Sequence, residues 1–163
     1  MIRLFAVGVA LAASPVMAQD LVYSDRATDQ CMADGGTVSG CAGLSADACM
    51  SDTIGGHSTY GMGGCLDAEL GYWDSKLNIV YQARVAAAKY ADKEAKDYGG
   101  SAPSQFEALR EMQRAWTRFR DAKCDYARSQ WGGGTGGGPA MLGCLLTTTA
   151  EQAVYLENAG MGN

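Results

Sequence analysis

From Leu66 the large apolar residues fall at Leu66, Leu70, Trp73, Leu77 and Val80, and the same stripe continues through Arg84 to Ala87 and Ala88. Alternating steps of four and three keep side chains on one face of an α-helix, so the spacing predicts one amphipathic helix of about thirty residues. Gly99-Gly100, followed by Ser101-Ala102-Pro103, ends it. Ser104-Gln105-Phe106-Glu107 then has the form of a capping box, with Ser104 as N-cap and Glu107 reaching back to its N–H. In the helix it opens, Phe106, Leu109, Met112, Trp116, Phe119 and Tyr126 make a face that matches the first stripe. A short connection makes the two helices antiparallel neighbours. Thr148-Thr149-Ala150-Glu151 is a second capping box and predicts a shorter third helix starting there, with Ala153, Val154 and Leu156 available for burial.

Ahead of Leu66 the pattern is broken. Gly35-Gly36, Gly40, Gly43 and Gly55-Gly56 divide the chain into short pieces, with two small helices expected around 21–33 and 44–51. No period-two run of β-branched residues occurs. The fold class expected is all-α: a long antiparallel helical hairpin with a shorter C-terminal helix and small disulfide-tied N-terminal helices.

Residues 1–18, MIRLFAVGVALAASPVMA, carry Arg3, an apolar run from Leu4 to Ala13, and small or β-branched residues at Val16 and Ala18. That is the form of a secretory signal peptide with cleavage before Gln19, and its apolar run is too short to span a bilayer. Gln19 stands where a lipoprotein would carry its cysteine, so the mature chain is expected as a single periplasmic or secreted domain over 19–163, free of the membrane. Its irregular N-terminal part is 19–64. All six cysteines, Cys31, Cys41, Cys49, Cys65, Cys124 and Cys144, lie in the mature chain, which reads as three disulfides. Six cysteines allow fifteen connectivities; the first choice is Cys31–Cys41, Cys49–Cys65 and Cys124–Cys144. No cysteine pair has the spacing of a zinc knuckle, and His57 has no ligand neighbour at a zinc-like interval, so no metal is expected.

Losing Arg3 moves the formal net charge from -5 to about -6. Nucleic acid is a poor partner for such a chain, as is an anionic membrane, and a cationic partner is favoured. Enzyme chemistry finds little support. His57 sits among glycines and lacks a nucleophile elbow. Glu69 and Asp74, five apart on a helix, point about 140° away from each other. No C-x-x-C pair is present. The run from Trp131 to Gly138 has six glycines, but Pro139 and Ala140 follow it where a phosphate loop would place a lysine. It reads either as a surface loop pinned by a Cys124–Cys144 bridge worth about 3 kcal/mol, or as a recognition loop with Trp131 as aromatic anchor. No catalytic residue and no cofactor is assigned.

Trp116 and Arg120, four apart, share a helix face, so the guanidinium can stack on the indole. A hairpin folding near residue 100 places Arg120 opposite about residue 80, with Asp74 within a turn or two. Arg120 and Asp121 therefore read as members of a charge network that sets helix register, or as a direct contact surface.

These residues also carry a resemblance. CLDAELGYWDSKLNIVYQA from Cys65, LREMQRAWTRFRDAKC ending at Cys124, and GCLLTTTAEQAVYL from Gly143 together resemble the LprI-like lysozyme-inhibitor domain family. The matched elements are Leu77-Asn78 with Tyr81, then Gln113, Trp116, Arg120, Asp121 and Cys124 in Q-x-x-W-x-x-x-R-D-x-x-C, then Cys144-Leu145 after a glycine-containing loop. The resemblance covers 65–158. It implies a small helical exported protein and, for the member that names the family, inhibition of animal-type lysozyme. That member is similar to a lipoprotein, a feature this chain lacks. The resemblance and the acidic charge together lead to the expectation of a secreted or periplasmic binding protein that blocks a cationic cell-wall hydrolase such as lysozyme; Trp131 of the glycine-rich run, with Arg120 and Asp121, is the expected contact, and Asp74, Asn78, Tyr81, Gln113 and Trp116 are expected as structural motif residues. The alternative is a periplasmic structural or adaptor module without inhibitory activity. Oligomeric state is left open.

Overall fold

The computed structural model describes residues 20–159, so the leader read in 1–18 and the junction at Gln19 lie outside the described residues. Six helices run through them: α1 Arg26–Ala33, α2 Val38–Cys41, α3 Leu44–Asp52, α4 Thr59–Asp97, α5 Gln105–Ser129 and α6 Gly137–Asn158. The fold is all-α, with the long hairpin and the disulfide-tied N-terminal helices as expected.

The long helix starts earlier than its apolar stripe. Ser58 is the N-cap of α4, its hydroxyl accepting a bond from the Gly61 N–H at 3.0 Å. Gly61, a weak helix former, is needed because the Gly55-Gly56 backbone lies against it where any side chain would stand. Along α4 the buried positions are Gly61, Cys65, Glu69, Trp73 and Leu77, with Leu66, Leu70 and Val80 packed beside them. Beyond Leu77 only Ala88 of α4 is buried.

The principal partner of α4 is α6, and its boundary overturns the expected start at Thr148. The helix begins at Gly137, eleven residues earlier, and Thr148, Thr149 and Ala150 are buried inside it. Pro139 sits in its first turn, where a missing N–H costs nothing. Leu146, Ala150, Ala153 and Leu156 close over Trp73 and Leu77, and this contact is the core. The two helices run the same way. Gly63 lies beside Leu142 near their starts, and at the far end Arg84 donates from Nε to the Leu156 carbonyl at 2.6 Å and from its terminal nitrogen to the Glu157 carbonyl. A cation is thus set on the last carbonyls of α6, which have no partner within the helix.

Antiparallel to both, α5 contributes Leu109, Met112 and Trp116 to the flank of the core. Phe119 and Tyr126, expected on the same face, are instead 61% and 66% exposed. The seam of α5 moves from Trp116 in four-residue steps to Arg120 and Cys124, which turns Phe119 and Tyr126 outward. Ser104 caps α5 as expected, accepting from the Glu107 N–H at 3.1 Å. Glu107 pairs with Arg110 at 2.6 Å, and Asp92 of α4 serves the start of α5 across the hairpin: it accepts from the Ser104 hydroxyl (2.6 Å) and the N–H groups of Gln105 (2.7 Å) and Phe106 (3.1 Å).

The disulfides are Cys31–Cys41, Cys49–Cys65 and Cys124–Cys144. The first closes the α1–α2 turn, the second ties α3 to α4, and the third ties α5 to α6. Three such bonds belong to an oxidising, extracytoplasmic compartment. Among the described residues no helix is long and apolar enough to cross a membrane.

Candidate functional site

Two helical stripes meet at an open groove. On α4, Asp74, Asn78 and Tyr81 follow one another at steps of four and three; on α5, Gln113, Trp116, Thr117 and Arg120 do the same, and the two sets line one cavity of about 400 Å³. Leu77 forms its floor and joins it to the core. The sequence motif therefore converges in space: every motif residue named on these two helices except Asp121 and Cys124 borders this groove.

Part of the lining is held by internal bonds. Gln113 accepts from the Gln152 amide of α6 at 3.0 Å, fixing the depth of α5 against α6. Thr117 donates to the Gln113 carbonyl at 3.0 Å and Ser75 to the Gly71 carbonyl at 2.9 Å. The Arg120 guanidinium lies over the Trp116 ring, 5.0 Å from its centroid, as the four-residue spacing predicts. Its ion partner is Asp121 of its own helix, at 2.9 Å. Asp74 shares the groove with Arg120, but no ion pair joins them among the described residues. The Arg120 side chain is 20% exposed and Asp121 stands on the rim. Asp74, Asn78, Tyr81 and Trp116 make no side-chain hydrogen bond to any described residue.

A second polar centre escaped the sequence reading. Glu69, placed on α4 as one of two carboxylates too far apart in angle to cooperate, is fully buried in the core. It accepts from the Thr28 hydroxyl (2.7 Å), the Gly43 N–H (2.9 Å), the Ala46 N–H (2.7 Å) and Trp73 Nε1 (3.2 Å). A negative charge at the N-terminus of α3 is favourable, and here it is delivered from another helix. The role is architectural, since Glu69 fixes α1 and α3 on α4. Around it, Tyr72 donates to Asp29 of α1, and Lys76 bonds the same carboxylate at 3.2 Å. The Tyr72 bond, followed by Lys76, holds the Asp29 carboxyl below its ordinary value of 3.8.

Trp131 begins the connection between α5 and α6. Because Gly137 and Gly138 already belong to α6, that connection is shorter than the run of glycines. The indole is 55% exposed, and its ring folds back over Gly136, where a methyl group would collide with it. Residue 131 lies about 16 Å along the α5 axis from Arg120, so Trp131 takes no part in the groove.

The fold and groove define a class: a small, disulfide-tied helical protein with an open polar–aromatic groove and, among the described residues, no cluster of three or more His, Cys, Asp or Glu side chains placed to hold a metal. Residues 49–156 match the family of the lysozyme inhibitor LprI, and the chain belongs to that family. It is 33% identical over 93 residues to an uncharacterized protein of Rhizobium meliloti (strain 1021), covering 57% of this chain and 67% of that protein. It is also 29% identical over 139 residues to the uncharacterized 17.7 kDa protein in the puhA 5' region of Rhodobacter capsulatus, covering 83% of this chain and 85% of that one. No solved structure matches it.

Proposed function

We propose that the chain is an exported binding protein that inhibits a lysozyme-type cell-wall hydrolase, residues 1–18 directing its export. The observation that carries the reading is family membership over 49–156. Charge supports it. Residues 19–58 hold Asp20, Asp25, Asp29, Asp34, Asp47 and Asp52 against Arg26 alone, so the excess of acid in the mature chain is concentrated on the N-terminal helices. A cationic enzyme is steered toward such a face, which raises the rate of encounter more than the lifetime of the complex. Lasting contact needs apolar anchors, and the outward side of α5 with its following loop offers Phe119, Tyr126 and Trp131. Arg120 and Asp121 lie on the same helix and supply polar contacts at the edge.

The test is lysozyme turnover on a cell-wall substrate with the purified mature chain, at low and at physiological salt. Turnover slows in proportion to added protein and recovers partly as salt rises. Full turnover at a tenfold molar excess of the protein at low salt overturns the reading.

A further inference from the structure

The α4–α5 groove has a chemistry of its own that the proposed hydrolase contact, which draws only on Arg120 of its lining, leaves unused. Its framework side chains are satisfied internally: Gln113 by Gln152, Thr117 and Ser75 by backbone carbonyls, Arg120 by Asp121. Asp74, Asn78, Tyr81 and Trp116 keep their hydrogen-bonding capacity for whatever enters. Asp74 and Asn78 are exposed, and Tyr81 and Trp116 are half-buried, with part of each ring forming the wall.

The kind of ligand follows by elimination. An anion finds one cation in the lining, Arg120, already paired with Asp121, and is repelled by Asp74. A cation finds Asp74 but must lie beside the Arg120 guanidinium, which already covers the Trp116 ring. A wholly apolar ligand would strip water from four polar groups and return no bond to them. A neutral polyol fits each requirement. A hydroxyl both donates and accepts, and the four side chains offer an acceptor at Asp74, a donor at Trp116 Nε1 and both at Asn78 and Tyr81. The C–H face of a sugar ring is apolar and matches the part of the Tyr81 ring that lines the wall, while Arg120 keeps its place over Trp116. The volume, about 400 Å³, lies within the roughly 300–1,000 Å³ typical of small-ligand sites.

We propose that this groove is a saccharide-binding site that takes a pyranose ring of a neutral glycan. The site acts whether or not the chain inhibits a hydrolase, and its test contains no hydrolase.

The chain's three tryptophans provide the readout. In a ¹H–¹⁵N spectrum of the mature protein, titration with the β-1,4-linked trimer of N-acetylglucosamine, and separately with cellotriose, moves the Trp116 indole and Asn78 side-chain amide signals saturably. The indoles of Trp73, buried against Glu69, and of Trp131, at the far loop, stay in place. A response to the acetylated trimer alone assigns the acetamido group to the site; a response to both assigns the ring. Asp74→Ala and Asn78→Ala, at exposed positions, each weaken binding by about fivefold, the net worth of one hydrogen bond, and leave the melting temperature unchanged. No shift at Trp116 with either trisaccharide at about 10 mM, a weak ligand's concentration, overturns the proposal. So does a shift confined to Trp131, or a saturable shift at Trp116 that neither substitution weakens.

Discussion

Two carboxylates on α4 perform the same task under opposite conditions. Glu69 receives the first N–H groups of α3, and Asp92 receives those of α5, each with a hydroxyl as an additional donor. Glu69 does this in the core, beside Trp73, Cys49 and Cys65; Asp92 does it near the tip of the hairpin with water at hand. Around Glu69 lie the closely packed apolar residues and the Cys49–Cys65 bond, while around Asp92 the α4–α5 contact rests on Ala88, Leu109 and the cation–π contact of Lys89 with Phe106. One helix thus has a root built as a protein core and a tip built as a solvated two-helix arm. The same hydrogen-bond pattern carries different energetic weight in each, because a donor stripped of its partner in the core has no water to turn to.

The largest effects are expected at the root. Trp73→Ala removes a fully buried indole and costs about 4 kcal/mol, whereas half-buried Trp116, expected from its spacing to sit in the core, costs about half of that when truncated. Equal losses in urea denaturation would show that the groove is as closely packed as the core. Glu69→Ala takes the acceptor from three buried donors and the half-buried Gly43 N–H, and is expected to cost about 4 kcal/mol as well. Asp92→Ala shifts the melting temperature several-fold less, since its donors rehydrate. If the two substitutions prove equal, the distinction between root and tip fails.

Crosslinks sharpen the same contrast. Replacing Cys124 and Cys144 together by alanine is expected to cost about 3 kcal/mol through the freed loop entropy of the unfolded chain. Hydrogen exchange in that variant should rise over the α5–α6 junction before it rises at Ala88. Uniform acceleration would mean that the hairpin tip shares the root's cooperativity.

The smallest effect is a pH dependence. Asp29, through Tyr72 and Lys76, and Asp92, through Ser104 and the N–H groups of Gln105 and Phe106, are both held below their ordinary value of 3.8. A carboxyl depressed on folding contributes stability that is present above its unfolded value and is lost as pH falls through the folded one. Stability is therefore flat with respect to these groups above about pH 5 and declines below about pH 4. Asp29→Asn should reduce the acid slope, as measured by the denaturation midpoint between those limits; an unchanged slope would remove Asp29 from the account.

How much of this was written in the sequence depended on how local the cause was. The Ser104 cap, the glycine end of α4 and the α4 stripe are set within a few residues and were legible, whereas the α5 stripe was legible only as far as Trp116, since Phe119 and Tyr126 face outward. The placement of Arg120 opposite residues 78–81 followed from hairpin geometry alone. Thr148-Thr149-Ala150-Glu151 has the same local form as a true cap, yet tertiary contacts with Trp73 and Leu77 keep the helix running through it. Pro139, eight residues after Trp131, was the available signal for the earlier start. Glu69 was illegible because a hydrophobic stripe counts a carboxylate as outside, and its partners, Thr28, Gly43 and Ala46, come from the segment where glycines obscure any period. Spacing showed that Asp74, Asn78 and Tyr81 share a face; it could not show that the facing side chains leave the groove open.

The central claim, that this family member meets a cationic wall hydrolase through an acidic face and aromatic anchors, is tested most directly by association kinetics with lysozyme at two ionic strengths. The account predicts that raising salt slows association far more than it speeds dissociation. It also predicts that Asp34→Asn, Asp47→Asn and Asp52→Asn in combination reproduce the effect of salt. Trp131→Ala, by contrast, weakens the complex by about 2 kcal/mol at either salt without altering the melting temperature. No measurable complex, or one whose association rate is indifferent to both salt and these three aspartates, would contradict it.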